Sequence, residues 1–163
     1  MYKAIFLDRD GIINKNRNDY VKSLNEFQIL PSVPEAIRLL NKSNFKVIII
    51  SNQSAVNRGL ITIEKLNKIH NFLSNYLLEN NAMLDAIYFC PHKPDESCDC
   101  RKPKPGLILK AAKEHDINLE NSIFIGDRLT DSQAAINAGV KPILMERDGD
   151  LLETVRNLLK KNE

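Results

Sequence analysis

The chain has no tryptophan, only three cysteines and no excess of either charge: 23 lysines and arginines face 21 aspartates and glutamates, leaving +2 over 163 residues. That balance argues against a broad basic face for nucleic acid or anionic membrane. The missing tryptophan removes one of the aromatic platforms on which unpaired bases stack. No apolar run nears the roughly 20 residues that a bilayer-spanning helix needs. The N-terminal residues run straight into a strand-like segment, without the basic, apolar and small-residue regions of a secretory leader. A cytoplasmic protein with no nucleic-acid or membrane partner is expected. No segment carries an unexplained apolar stripe, so a monomer is expected too. Hydrophobic residues at 43% and charged residues at 27% are ordinary for a globular chain, and one domain over residues 1–163 is long enough for a sizeable core. No repeat, low-complexity tract or linker divides it.

What is present alternates. Short runs rich in Ile, Val and Phe occur at residues 4–7, 46–50, 86–89, 122–125 and 142–145 and read as strands. Helical patterns lie between and after them at 34–42, 62–79, 106–115, 131–138 and 151–160. In the longest, Leu66, Ile69, Leu73 and Leu77 form one stripe, with Thr62 as its N-cap. The order predicts an α/β fold, a central parallel sheet with helices on both faces. The long irregular stretch is 90–105, and long loops in compact folds are usually functional.

In an open α/β sheet, ligands bind outside the carboxyl ends of the strands. The first strand ends in Asp8-Arg9-Asp10-Gly11. Strand alternation sends Asp8 and Asp10 the same way, and Gly11 permits a sharp turn. Alone, such a pair is also an ordinary polar turn. Converging carboxylates suit a hard cation such as Mg2+, and one of them can serve as a nucleophile. The second strand delivers Ser51-Asn52-Gln53-Ser54, and the third runs into a loop bearing Arg101, Lys102 and Lys104. The fourth ends in Gly126-Asp127-Arg128-Leu129-Thr130-Asp131. Carboxylates, a hydroxyl and cations on one edge can bind a phosphoryl group with Mg2+ and neutralise developing charge.

All three cysteines fall within eleven residues, as Cys90-Pro91-His92 and Cys98-Asp99-Cys100. Three sulfurs and an imidazole complete a tetrahedral Zn2+ set, and with no ligand position left open the metal is expected to be structural. The alternative is three unrelated thiols beside a surface histidine. A disulfide would leave one cysteine unpaired. The expected job of this zinc loop is to aim Arg101 and Lys102 at the phosphate. His70 and His115 are expected to be merely packed or solvated.

In motif order the chain resembles the haloacid dehalogenase superfamily of phosphohydrolases: Asp-Arg-Asp-Gly at 8–11, Ser51-Asn52, Lys102, and Gly-Asp-x-x-x-Asp at 126–131. The resemblance implies a Rossmann-like fold and assigns Asp8 as nucleophile, forming an aspartyl-phosphate. Asp10 is implied to protonate the leaving oxygen and then activate water. Mg2+ is implied on Asp8, the backbone carbonyl of Asp10, and Asp127. Ser51 and Lys102 are implied to bind the phosphoryl oxygens, Arg101 to join them, and Asp131 to orient the set.

The Cys-x-His, Cys-x-Cys and Arg101-Lys102-Pro103 elements resemble the branch holding heptose bisphosphate phosphatases and histidinol-phosphatase domains. Asp19-Tyr20-Val21, Asn52-Gln53-Ser54, Asn57-Arg58-Gly59 and Lys104-Pro105-Gly106 lean toward the heptose side. Ser51 replaces the branch's commoner threonine but keeps the hydroxyl, and Ala55 stands where glycine is usual. Residues 14–46 leave no room for a separate cap domain, so loops alone are expected to cover the site. The implied activity is removal of the C7 phosphate from a heptose 1,7-bisphosphate, on the way to nucleotide-activated heptoses. Asn16, Arg17, Asp19, Tyr20, Ser51, Asn52, Gln53, Ser54, Arg58, Arg101, Lys102 and Arg128 are the expected contacts to this small phosphorylated sugar. Alternatives are histidinol phosphate, a nucleic-acid 3′-phosphate, or a non-enzymatic phosphoacceptor switch.

Overall fold

Alternation along the first strand sets up two layers. Ile5 and Leu7 face one core and Ala4 and Phe6 face another, all of them fully buried. The computed structural model describes residues 1–161. Asn162 and Glu163, the last two residues of the expected domain, lie outside the described residues. Strands Ala4–Leu7 (β1), Lys46–Asn52 (β2), Ala86–Cys90 (β3), Ile123–Gly126 (β4) and Lys141–Leu144 (β5) form a parallel sheet in the order β3-β2-β1-β4-β5. Helices Val33–Lys42 (α1), Ile63–Glu79 (α2) and Leu151–Lys160 (α5) cover the Ile5 face. Gly106–Glu114 (α3) and Leu129–Ala138 (α4) cover the Phe6 face. Both faces are therefore apolar, which is why the strand segments read as continuous hydrophobic runs.

The expected strands and helices all form, with small shifts at their ends. β2 continues through Asn52 because Ser51 and Asn52 pair with Phe89 and Cys90. α4 starts at Leu129, two residues before its expected start, because the Asp131 carboxylate reaches back to the Arg128 N–H at 3.1 Å. Thr62 caps α2 as expected, its Oγ1 accepting from the Lys65 N–H at 3.2 Å. β5 lies at the sheet edge, where Pro142 is tolerated. Loops and one short 3-10 turn, Leu24–Glu26, fill the chain after β1, and no inserted domain stands over the sheet edge among the described residues. No helix among them is long and apolar enough to cross a membrane. The strand order reverses at β1, and its carboxyl end opens the crevice in which the site lies.

Candidate active site

Asp8 leaves β1 at that crevice, its backbone N–H donating to the Ile125 carbonyl at 3.1 Å. Its carboxylate meets the ammonium of Lys102, which arrives from the 90–105 loop. Lys102 Nζ donates to Asp8 Oδ1 at 2.9 Å and to the Ile50 carbonyl at 2.8 Å, and pairs with Asp131 Oδ1 at 2.7 Å. All three of its protons are thereby engaged. Burial opposes the charge on Lys102, yet Asp8 and Asp131 hold it above the ordinary lysine value. Burial pushes the Asp8 carboxyl up to about 7 even though Lys102 pulls it down, and the nearby Asp131 adds to the rise.

Asp131 serves two purposes. One oxygen takes Lys102, and the other accepts the N–H groups of Asp127 and Arg128 at 3.2 and 3.1 Å. This turn is so tight that a Cβ on Gly126 would lie 2.4 Å from that second oxygen. Asp131, expected to orient the set, thus contacts Lys102 directly. Asn52 holds Lys102 by its backbone, accepting from the Lys102 N–H at 3.0 Å and donating to its carbonyl at 3.2 Å.

Asp10 is surrounded by donors. Arg9 Nη2 and Asn14 Nδ2 reach Oδ1 at 2.9 and 3.0 Å, and Gln53 Nε2 reaches Oδ2 at 2.8 Å. Burial works against its charge, but Arg9 and the hydrogen bonds from Asn14 and Gln53 outweigh it and hold the carboxyl below the usual carboxylate range. The same Gln53 amide donates to Ser51 Oγ at 2.7 Å. Ser51 is fully buried beneath the crevice floor.

Asp8, Asp127 and Asp131 bring oxygens within 4.8 Å of one another. Arg147 Nε holds Asp127 Oδ2 at 2.7 Å, whereas Asp127 Oδ1 is buried and has no hydrogen-bond partner. A buried orphan carboxylate oxygen beside two further carboxylates is what a hard cation requires. Gly11, at φ +87, makes room for Asp127: a Cβ there would meet Oδ2 at 2.5 Å. Cys90, His92, Cys98 and Cys100 likewise gather their sulfurs and one ring nitrogen within 4.8 Å, with His92 Nδ1 at 3.3 Å from Cys90 Sγ and 3.2 Å from Cys100 Sγ. Three sulfurs and one nitrogen so placed fit a tetrahedral soft-metal site. Arg101 follows directly and donates to the His92 carbonyl at 3.2 Å.

Above these groups lies a cavity of about 340 Å3. Asp8, Asp10, Lys102 and Asp131 form its floor, and Asn16, Arg17, Tyr20, Asn52, Gln53 and Ser54 are among its walls. Arg58, Arg101 and Arg128 also line it. Two expected contacts lie elsewhere. Asp19 is in a neighbouring depression, held by Arg17 and Lys22 at 3.1 Å each, and Ser51 is covered by Gln53. Arg17 is itself neutralised by Asp19 and Glu26. Reading strand ends as far as β4 misses Arg147, which follows β5. It also misses Arg9 and Asn14, both fully buried around Asp10. Extending the strand-end rule to the fifth strand would have pointed to Arg147.

Known proteins resemble this chain in sequence and in fold. The family model for haloacid dehalogenase-like hydrolases matches residues 2–139. Over 144 residues the chain is 46% identical to a D-glycero-beta-D-manno-heptose-1,7-bisphosphate 7-phosphatase of Helicobacter pylori, covering 88% of this chain and 82% of that protein. It is 37% identical over 160 residues to a D-glycero-alpha-D-manno-heptose-1,7-bisphosphate 7-phosphatase of Campylobacter jejuni, covering 96% and 91%. The crystal structure of D,D-heptose 1,7-bisphosphate phosphatase from B. bronchiseptica, complexed with magnesium and phosphate, matches with a TM-score of 0.90 at 35% identity, covering 98% of this chain and 99% of that one.

Proposed function

The chain belongs to the haloacid dehalogenase-like hydrolase family, and from that premise we propose that it is a Mg2+-dependent phosphatase releasing the C7 phosphate of D-glycero-D-manno-heptose 1,7-bisphosphate. The observation that carries this reading is a buried carboxylate, Asp8, aimed by Lys102 beneath a cavity whose rim is lined by arginines. In the proposed cycle Asp10, ionised in the free protein, takes up a proton as the phosphate ester binds. An Asp8 oxygen then attacks phosphorus, the bond to the sugar oxygen breaks, and Asp10 gives that oxygen the proton. Asp10 then takes a proton from water as the water attacks the aspartyl-phosphate, freeing phosphate and restoring Asp8. Oδ1 of Asp10 is held by two buried donors, so the exchangeable proton belongs on Oδ2. There the Gln53 amide can turn to accept from the acid form. Mg2+, held by Asp8, the Asp10 carbonyl and Asp127, would supply charge neutralisation at the phosphoryl oxygens. Lys102 and Arg101 add fixed positive charge, and the Ser51 hydroxyl becomes available if Gln53 turns.

A bisphosphate suits the rim. Among the described residues, Arg58 and Arg128 have no carboxylate partner, unlike Arg17 and Arg147. Arg58 Nε donates only to the neutral Ser54 Oγ, at 3.2 Å. Guanidiniums without a carboxylate partner favour a second phosphate and disfavour a cationic amine such as histidinol phosphate. Heptose 1,7-bisphosphate should exceed histidinol phosphate in kcat/KM by roughly a hundredfold or more, about 2.7 kcal/mol of discrimination. Parallel phosphate-release assays with Mg2+, run on both anomers of the bisphosphate, measure this; a preference for histidinol phosphate would reject the assignment.

The zinc reading supports the same cycle from outside it. Zn2+ on Cys90, His92, Cys98 and Cys100 would fix the chain that carries Arg101 and Lys102. Chelation should speed amide exchange across residues 90–102 and lower activity by roughly tenfold through loss of positioning. A loop that stays protected after zinc removal would refute the structural role.

A further inference from the structure

We propose that His70, on α2 and outside the cavity, is a positioning residue for the acid–base carboxylate Asp10, acting through Arg9. This rests on the assignment of Asp10 to proton transfer. Arg9 is fully buried, an uncommon place for a guanidinium, and its two terminal nitrogens point in different directions. Nη2 donates to Asp10 Oδ1 at 2.9 Å and Nη1 lies 3.1 Å from His70 Nε2. Its guanidinium sits 5.5 Å from the centre of the Phe27 ring.

Arginine has only donors, so His70 Nε2 must accept, and the imidazole is neutral with its proton on Nδ1. Burial first, and then the Arg9 charge, push the His70 pKa down to about 3, so it stays an acceptor throughout the working pH range. The ring is fixed against Phe89 at 5.9 Å. The chain of contacts therefore runs from the α2 helix, through a neutral acceptor, to a guanidinium with one rigid orientation, and on to one carboxylate oxygen. Without the acceptor, Arg9 Nη1 is a buried donor lacking that partner, and the guanidinium can rotate away from Oδ1. Asp10 then keeps Asn14 and Gln53 but loses the charged contact that fixes its plane.

Two substitutions separate positioning from packing. His70→Phe keeps an aromatic ring beside Phe89 and removes the acceptor, whereas His70→Gln offers an amide oxygen near the position of Nε2. We expect His70→Phe to lower kcat and kcat/KM together by about tenfold with KM within about twofold, and His70→Gln to recover kcat to within about threefold of the original. A purely packed histidine gives the opposite result: both variants lose melting temperature while kcat per folded molecule is unchanged, and this would overturn the proposal. An unmodified protein that releases no phosphate from the bisphosphate or from p-nitrophenyl phosphate would overturn the Asp10 assignment and this inference together. An active protein whose His70→Phe variant is equally active would overturn only the inference. If His70→Phe fails to fold, 1H–15N spectra of the unmodified protein decide: an unprotonated Nε2 from pH 5 to 8 is required, and a proton found there rejects the proposal.

Discussion

Asp8→Asn will lower turnover by roughly 10^4-fold or more and abolish labelling of the enzyme by phosphate, while the protein keeps its fold. The substitution is isosteric, so Lys102 still finds an oxygen at the position of Asp8 Oδ1, 2.9 Å away in the present structure. What disappears is the anionic nucleophile. An amide cannot form an acyl phosphate under these conditions, and neither Asp10 nor Asp131 can replace it: Asp10 faces three donors and Asp131 is tied to the α4 turn. Stability should move the other way. The Asp8 carboxyl is raised from 3.8 to about 7 by burial, with Asp131 and Asp10 opposing the stabilising pull of Lys102. Between those values the folded protein binds a proton that the unfolded chain does not, so the metal-free protein loses stability as pH rises through that window. Asn at this position has no such loss. Melting curves without Mg2+ should therefore show Asp8→Asn gaining on the original protein from about pH 4 to 7 and holding that gain above it. Residual activity within a hundredfold of the original would reject Asp8 as nucleophile.

The parts of this molecule visible in the sequence share one property: they depend on local periodicity or on residue types at fixed spacing. The inner strands were legible because a parallel sheet covered on both faces buries nearly every position of β1, β2 and β4, as Ile5, Phe6, Ile48 and Ile49 show. The cluster of Cys90, His92, Cys98 and Cys100 in the 90–105 loop was legible because few chemistries other than soft-metal binding call for three sulfurs and an imidazole so close together. Less visible was the direction of side chains over long separations. Arg9 lies between two aspartates and looks like part of their polar turn, yet alternation aims it into the core toward a histidine 61 positions away. Asp19 looks like a substrate contact, but neighbouring Arg17 and Lys22 hold it in the loop. Gln53 and Asn52 read as contacts to the phosphorylated sugar, and they line the cavity. Their amides also brace Asp10, Ser51 and the backbone of Lys102. Hydrogen-bond partners of this kind depend on the register of β2 against β3 and on how the loop returns over the sheet. Residue spacing does not encode either.

Lys102→Met carries the second large effect, and it separates catalysis from folding. The side chain is nearly fully buried and lies 5.3 Å from the centre of the Phe124 ring, so methionine can occupy much of its space. The loss is electrostatic. An ammonium already in place beside Asp8 needs no reorganisation as charge shifts between Asp8 and the phosphoryl group, and removing it should lower kcat by roughly 10^3-fold. Asp131 meanwhile loses the cation at 2.7 Å and becomes a buried carboxylate supported by backbone N–H groups alone. Breaking one side of a buried pair costs about 3 kcal/mol or more, which for a chain of this size is roughly 6–12 °C in melting temperature. Adding Asp131→Asn to Lys102→Met removes the stranded charge, because the amide oxygen can still accept from the Asp127 and Arg128 N–H groups. The double variant should therefore regain most of the lost melting temperature and none of the lost turnover. A Lys102→Met enzyme within tenfold of the original kcat would remove the ammonium from the chemistry. A double variant that melts no higher than the single one would mean that Asp131 is not where the missing charge is felt.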